Sequence, residues 1–398
     1  MVHEQHRILI LTSDAGSGHR SAAQALEAAL VQRYGTAAQV VIKNPIHHQH
    51  APAVLRNAEG FYIDLVRYVP DVYDWLHEVT DQPLPVALLS QGVRQATHRA
   101  LVDILADTQP DVVVSVYPLF TSLVAAAYRH SNARPGLATV VTDLGAVHRF
   151  WFDRHDDLCI VPTLETRTKA INCGIDPARV VIAGIPVHPR FAAPRGSVSA
   201  LRASLGWHQT LPTVLLIGGG AGVGRIDAMA RALDQSGLAI QLAVVAGRNH
   251  ELAHTLRGRT WRIPTHIYDF VPLADLMIAA DVIATKAGGL SVSEALAVGR
   301  PLLLYGAAPA QESGNLSYVV GHGAGVHVND PEHVVAQLAG WLQDSTALAR
   351  AARAAQTLGR PHAASQIAEL AWHLGSGRPR ATLLGSRNEL SRRIASWF

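Results

Sequence analysis

Twice in this chain an apolar strand runs straight into a glycine turn that opens a helix. RILILT leads into SDAGSGHRSAAQALEAAL from residue 7, and TVLLI leads into GGGAGVGR from residue 213. A third stretch with the same grammar, DVIATKAGGLSVSEALAVGRPLLLYGAAPAQESGN, fills 281–315. Strands that alternate with helices through such turns build a parallel, doubly wound sheet. The alternation continues between them: strands over 39–43, 111–116, 138–142, 158–161 and 180–182, a long helix over 84–107, and helices beginning at Pro118 and Thr163. HPRFAAPRGS (188–197), with two prolines and a glycine, reads as a linker. After it come strands over 213–217, 240–245, 265–267, 282–285 and 301–304, a helix opened by Pro272, and C-terminal helices from 331 to about 373. At 398 residues the chain exceeds what one hydrophobic core supports. The predicted fold class is therefore α/β, two doubly wound parallel-sheet domains facing across a cleft. Their predicted bounds are 1–190 and 191–375, followed by a basic amphipathic tail over 376–398.

Charge matters here through its location. The net charge is +3, yet 376–398 alone holds five arginines (Arg378, Arg380, Arg387, Arg392, Arg393) against Glu389. A nucleic-acid surface spread over the fold is excluded by that concentration. Cys159 and Cys173 have no disulfide or metal-type spacing and fit a reducing compartment. The polar first residues and the lack of a long apolar run predict a cytoplasmic protein with neither signal peptide nor membrane span. HHQH at 47–50 has no acid or cysteine beside it in the chain, so a solvated loop is expected and no metal. The segment 53–78 is dense in aromatics (Phe61, Tyr62, Tyr68, Tyr73, Trp75), which suit either a core or a lipid-facing surface. In a helical tail, Leu390, Ile394, Trp397 and Phe398 share one face beside Arg392 and Arg393. That face suits the anionic inner surface of a membrane or, alternatively, a return onto the first domain.

A glycine turn at a helix N-terminus aims several backbone N–H groups one way and favours a phosphate or diphosphate. The dipole supplies only about 0.3–1 kcal/mol, so further contacts are needed. Lys286, Glu294, Gln311, Glu312 and Asn315 are spaced to make them. No exact GxGxxG is present, no acid ends the strand after either opening turn, and GxxxxGK[ST] is absent; dinucleotide and P-loop chemistry are set aside. His19 closes the first turn at a helix start, where the dipole keeps an imidazole neutral, the form a general base needs. A bond that merely steadies the turn is its other role. Asp14 and Asp143 end strands nearby and would partner His19 or a hydroxyl, although Asp14 also suits turn shaping. Ser291-Val292-Ser293-Glu294 spells a capping box, so Glu294 is either a cap residue or a carboxylate for a ribose diol.

These residues resemble a known family. SDAGSGHRSAA (13–23), VVTDLGAVHRFWF (140–152), GIPVHPRF (184–191), LLIGGGAGVG (215–224), TKAGGLSVSEA (285–295) and AQESGN (310–315) are similar, in that order, to motifs of monogalactosyldiacylglycerol synthases and bacterial processive diacylglycerol glucosyltransferases. Both are members of glycosyltransferase family 28, and the first motif favours the diacylglycerol branch. The resemblance implies a GT-B fold of two Rossmann-like domains, the first for the acceptor and the second for a UDP-sugar. It also implies an inverting, metal-independent displacement with no cofactor. His19 would be the base or an acceptor-loop residue, with Gly16 and Gly18 near the diphosphate and His148 and Trp151 lining the acceptor side. Gly218, Gly219 and Gly220 would approach the donor phosphates, and Phe270 and Val271 would bind uracil through their backbone. Lys286, Ala287, Gly288 and Gly289 would hold diphosphate, Glu294 the ribose, and Gln311, Glu312 and Asn315 the sugar and nearby phosphate. Where the family commonly has Pro-Val-Arg, this chain has Pro186-Val187-His188, with Arg190 two residues on. A neutral imidazole does not replace a guanidinium on a phosphate, so either Arg190 reaches in or the diphosphate is held less tightly.

The expected function is transfer of galactose or glucose from UDP-galactose or UDP-glucose to diacylglycerol at a membrane surface. A UDP-sugar isomerase of the epimerase type, transfer to another lipid such as a sterol or ceramide, and a non-catalytic sugar-nucleotide binder are the alternatives.

Overall fold

Complete burial of Val112–Ser115, Gly136–Val140, Thr213–Ile217 and Gln241–Val245 marks strands covered on both faces. Unbroken apolar runs are the sequence form of such strands in parallel sheets. The computed structural model describes residues 5–14, 18–52, 81, 83–118, 120–128, 133–193, 196–218, 225–306 and 312–376. The aromatic-rich segment 53–78 and the tail beyond 376 lie outside the described residues. The chain divides into two compact units. One holds the residues up to Pro189 and those from His362 onward, and the other holds Arg190–Ala308 and Glu312–Pro361.

In the first unit the elements are β1 (His6–Leu11), α1 (Gly18–Tyr34), β2 (Ala38–Lys43), α2 (Pro83–Thr108), β3 (Val112–Ser115), α3 (Phe120–Ala127), β4 (Gly136–Val140), β5 (Leu158–Val161), α4 (Leu164–Asn172) and β6 (Val180–Ile182). All strand pairings are parallel, in the order β2-β1-β3-β4-β5-β6. The order reverses between β1 and β3, and ligands of open parallel sheets bind beyond the carboxyl ends of strands at such a reversal.

The second unit contains α5 (Val198–Ser204), β7 (Thr213–Ile217), α6 (Ile226–Gln235), β8 (Gln241–Val245), α7 (His250–Arg257), β9 (Thr265–Tyr268), α8 (Ala274–Ala279), β10 (Val282–Thr285), α9 (Gly289–Ala297), β11 (Leu302–Leu304), α10 (Ser313–Gly321), β12 (Gly325–His327), α11 (Pro331–Gln343) and α12 (Ser345–Leu358). Its sheet is also parallel, ordered β12-β11-β10-β7-β8-β9, and reverses between β7 and β10. Those two strands are the ones followed by glycine turns.

The last described helix, α13 (Ala363–Gly375), departs from the expected bounds. The sequence reading assigns 191–375 to the second domain, whereas α13 belongs with the first unit. Small residues explain the docking. Ala364, Ile367, Ala368 and Ala371 join the core formed by Ala25, Leu26 and Ala29 of α1. Gly375 comes so close to β3 that a Cβ there would stand 2.7 Å from Val112 Cγ2, and one on Gly136 would stand 2.6 Å from Leu374 Cγ. Trp372 stacks on Tyr34 of α1 at 3.9 Å between centroids and meets the buried His6 edge-on at 4.3 Å. Trp372→Ala is expected to destabilise the first unit by about 2–4 kcal/mol through lost burial and stacking. Denaturant unfolding followed by tryptophan-independent circular dichroism measures it.

Two further departures concern local boundaries. Helix α9 starts at Gly289 with Gly288 as its cap, two residues ahead of the predicted start at Ser291. The segment after β11, where the sequence reading places no helix or strand before 331, contains α10 and the three-residue β12. Both are short and bounded by glycines, which hides them from periodicity.

Candidate active site

In the first unit, residues from three strand ends converge at the β1/β3 reversal. His19 is the second residue of α1, and its Nδ1 lies 3.0 Å from the Val116 carbonyl oxygen and 3.1 Å from the Thr142 hydroxyl. A carbonyl oxygen only accepts, so Nδ1 carries the proton and donates it. That fixes the tautomer and makes Nε2 the basic nitrogen of the neutral ring. Tyr117 packs edge-on against the imidazole at 5.2 Å, and Trp151 lies tilted at 5.9 Å. Trp151 is 4 % exposed and sits in the core with Val141, Val147 and Cys159. It thus backs His19 from within the core. His148 caps the short turn Arg149–Trp151 by accepting the Phe150 amide at 3.2 Å. Asp81 holds the same turn, accepting from the Arg149 amide at 2.7 Å and from Lys169 Nζ at 2.9 Å. Asp143 is buried directly after Thr142.

Asp14 does the work of a turn residue. Arg20 grips both its oxygens, Nε to Oδ1 at 2.7 Å and Nη2 to Oδ2 at 2.9 Å, and Asn44 donates to Oδ2 at 2.9 Å. The Arg20 guanidinium holds its carboxyl below the usual carboxylate range. A carboxylate so stabilised is a poor proton acceptor near neutrality. Of its two expected roles, turn shaping is the one these bonds support.

In the second unit, β10 ends in Thr285 and the chain turns through Lys286, Ala287 and Gly288 into α9. Gly288 brings no side-chain cap, and the first turn of α9 holds no acid. Its leading N–H groups thus keep the arrangement that suits an anion. The turn is braced from behind: the Ala287 amide donates to Gly306 O at 2.8 Å, and Asn315 Nδ2 donates to Ala287 O at 3.0 Å. Asn315 is completely buried, so it positions the turn, where the sequence reading has it on the sugar or phosphate. Asn315→Ala leaves the Ala287 carbonyl without this donor and is expected to cost about 1–3 kcal/mol, read from thermal unfolding of the purified protein. Glu312 lies close by, its Oε1 3.4 Å from where a Gly288 Cβ would stand.

Glu294 falls on the sixth residue of α9, too far along to reach back to Gly288. The capping box is therefore not formed. Its side chain is half-buried, and desolvation pushes its pKa up to about 8. At the ends of β8 and β9, the exposed Phe270 lies under Arg248, whose guanidinium carbon is 4.4 Å from the ring centroid. Val271 follows it, half-buried. Gly218 is buried at the end of β7, its amide 3.3 Å from Val245 O. Arg190 is exposed at the start of the second unit. Gly16, Gly219, Gly220 and Gln311 lie outside the described residues.

Thr142, Val116 and Arg248 went unnoticed in the sequence reading. Val116 acts through its backbone, which no side-chain pattern reveals; Thr142 sits inside the quoted motif 140–152 and was readable there. Among the described residues no helix is long and apolar enough to cross a membrane.

Two reversal-point sites on two parallel sheets define a class. The chain has the GT-B fold, and solved structures share it. MurG of Acinetobacter baumannii matches with a TM-score of 0.59 at 13 % identity, covering 93 % of this chain and 99 % of that one. A putative UDP-N-acetylglucosamine 2-epimerase from Listeria monocytogenes matches with a TM-score of 0.61 at 16 % identity, covering 96 % and 100 %. At these identities the likeness speaks for fold alone. Sequence comparison goes further. Residues 19–187 match the monogalactosyldiacylglycerol (MGDG) synthase model, and 213–367 match the glycosyltransferase family 28 C-terminal domain. A probable chloroplastic monogalactosyldiacylglycerol synthase of Glycine max is 33 % identical over 91 % of this chain and 70 % of its own length. Monogalactosyldiacylglycerol synthase 3 of Arabidopsis thaliana is 31 % identical over 96 % and 84 %. The chain belongs to the monogalactosyldiacylglycerol synthase family, glycosyltransferases that transfer a sugar to diacylglycerol.

Proposed function

We propose that this protein is an inverting, metal-independent hexosyltransferase that moves galactose or glucose from a UDP-sugar to the free hydroxyl of diacylglycerol at an anionic membrane surface. The observation that carries the reading is His19, held by the Val116 carbonyl in the tautomer whose Nε2 accepts a proton. The acceptor hydroxyl is a poor nucleophile. As its oxygen bonds to the anomeric carbon, its proton passes to Nε2, and the bond from that carbon to the β-phosphate oxygen breaks. UDP leaves with the electron pair. The N–H groups at the start of α9 and the ammonium of Lys286 take up the developing charge, the contribution a metal makes in other transferases. Attack from the face opposite the leaving group inverts the anomeric centre. Glu294 accepts from the ribose diol, and Phe270 with Val271 offers backbone groups to uracil.

Radiolabelled UDP-galactose and UDP-glucose, each incubated with and without diacylglycerol vesicles, test the proposal. Labelled glycolipid formed only with vesicles supports it, and comparison of the two donors identifies the sugar. Conversion of the nucleotide sugar without vesicles would make the protein an isomerase and overturn the reading. Replacing diacylglycerol by a sterol or ceramide in the vesicles asks the same of the acceptor.

A further inference from the structure

The histidine-rich loop at 47–50 acquires in three dimensions the acid it lacks in sequence. It leaves β2 through a short turn at Pro45–His47, pinned by the buried Ile46 and by the Ile46 amide donating to Asn44 Oδ1 at 3.0 Å. Residues 48–51 form a tight turn closed by the Ala51 amide donating to His48 O at 2.9 Å, which folds His50 back beside His48. The His48 and His50 rings lie 5.4 Å apart. Asp103, on the buried side of α2 and only 7 % exposed, meets His50 Nδ1 through its Oδ2. One ligand atom from each of His48, His50 and Asp103 lies within 4.8 Å of the others.

We propose that His48, His50 and Asp103 form a binding site for one divalent zinc ion that clamps the β2 exit loop to α2. Beside the His50–Asp103 pair, the His48 ring is held at the same point, its Nδ1 accepting the His50 amide at 3.3 Å. Two imidazole nitrogens and one carboxylate oxygen are the donor set of a zinc site with a fourth position open to water. The absence of thiolates speaks against copper(I), and the shortage of oxygen donors against calcium or magnesium. The clamp has a structural destination. The same loop presents Asn44 and His47 to Asp14, at 2.9 Å and 3.5 Å, and so steadies the turn that opens α1 ahead of His19.

The test uses the full chain stripped with EDTA and needs no substrate, so it stands apart from the glycosyl-transfer assay. Zinc is titrated in competition with a chromophoric chelator, and cobalt(II) is followed by its visible d–d bands. Expected are one tight equivalent, four-coordinate cobalt bands and a raised unfolding midpoint with zinc. His48→Asn/His50→Asn, at one half-buried and one exposed position, should weaken binding beyond the roughly 10–100-fold that losing an outer-shell partner costs. Asp103→Asn should do the same with the fold's shape kept. With 21 histidines in the chain, adventitious binding is the rival outcome. If the double variant takes up zinc as tightly as the native chain, or the native chain fails to compete for it, the cluster is an imidazole–carboxylate pair only and the proposal falls.

Discussion

His19→Ala is expected to lower kcat by about 10²–10⁴-fold while UDP binds with its native affinity. The size follows from what the ring alone supplies, proton removal from an alcohol during attack. The selectivity follows from where it sits: His19 belongs to the first unit, and the proposed donor contacts Phe270, Lys286, Gly288 and Glu294 belong to the second. A companion variant separates chemistry from scaffolding. Asn at this position keeps a nitrogen that donates to the Val116 carbonyl but has no basic site, so His19→Asn should be nearly as inactive as the Ala variant while unfolding at the native temperature. Turnover near the native rate in either variant would remove His19 from the reaction. An inactive Ala variant rescued by Asn would reduce the residue to a brace.

Glu294→Ala is expected to weaken UDP binding by roughly 10–150-fold, the loss of hydrogen bonds to a charged group worth about 1.5–3 kcal/mol. The pH dependence is more diagnostic. Burial raises this carboxyl from 4.5 to about 8, so the unliganded side chain carries a proton at pH 7. A ribose diol donates hydrogen bonds and therefore favours the carboxylate, which means binding expels that proton. UDP affinity should rise with pH up to about 8 and level off above it, with at most about a tenfold change per unit. Stability of the unliganded protein should run the other way. A carboxyl raised in the folded state contributes fully below 4.5, its unfolded value, and loses the contribution as pH climbs through about 8. Isothermal titration of UDP and thermal unfolding across this range, each repeated on Glu294→Gln, measure both slopes. A Gln variant with the native pH dependence would show that another group titrates.

Both sheets were legible because their strands are uninterrupted apolar runs ended by glycine turns, and a parallel sheet leaves few other ways to bury such runs. The order of strands within each sheet, and with it the reversals, emerges only from the structure. What escaped the sequence reading depends on partners far along the chain. Asp14 reads as a candidate for proton chemistry until Arg20 and Asn44 are seen to occupy it. Ser291 and Glu294 spell a capping box, but Gly288 and Gly289 start the helix earlier and the box has nothing to cap. Asn315 has the polarity of a ligand contact and is wholly buried behind the glycine turn. The loop at 47–50 lacks an acid only if acids are sought nearby in sequence; Asp103 arrives on a helix. Composition misled at the C-terminus. Ala363–Gly375 looks like the closing helix of the second sheet because it follows directly on two helices that do belong there, yet its alanines fit α1.

That last helix also sets an order of events. During synthesis the first six strands emerge and can pair, but the part of one flank that α13 covers beside α1 stays open until residues 363–375 leave the ribosome, after the whole second unit has been made. The half of the molecule that is written first is finished last. A nascent chain therefore carries an unshielded alanine-rich flank through most of its translation, and a fragment ending near residue 189 keeps that exposure for good.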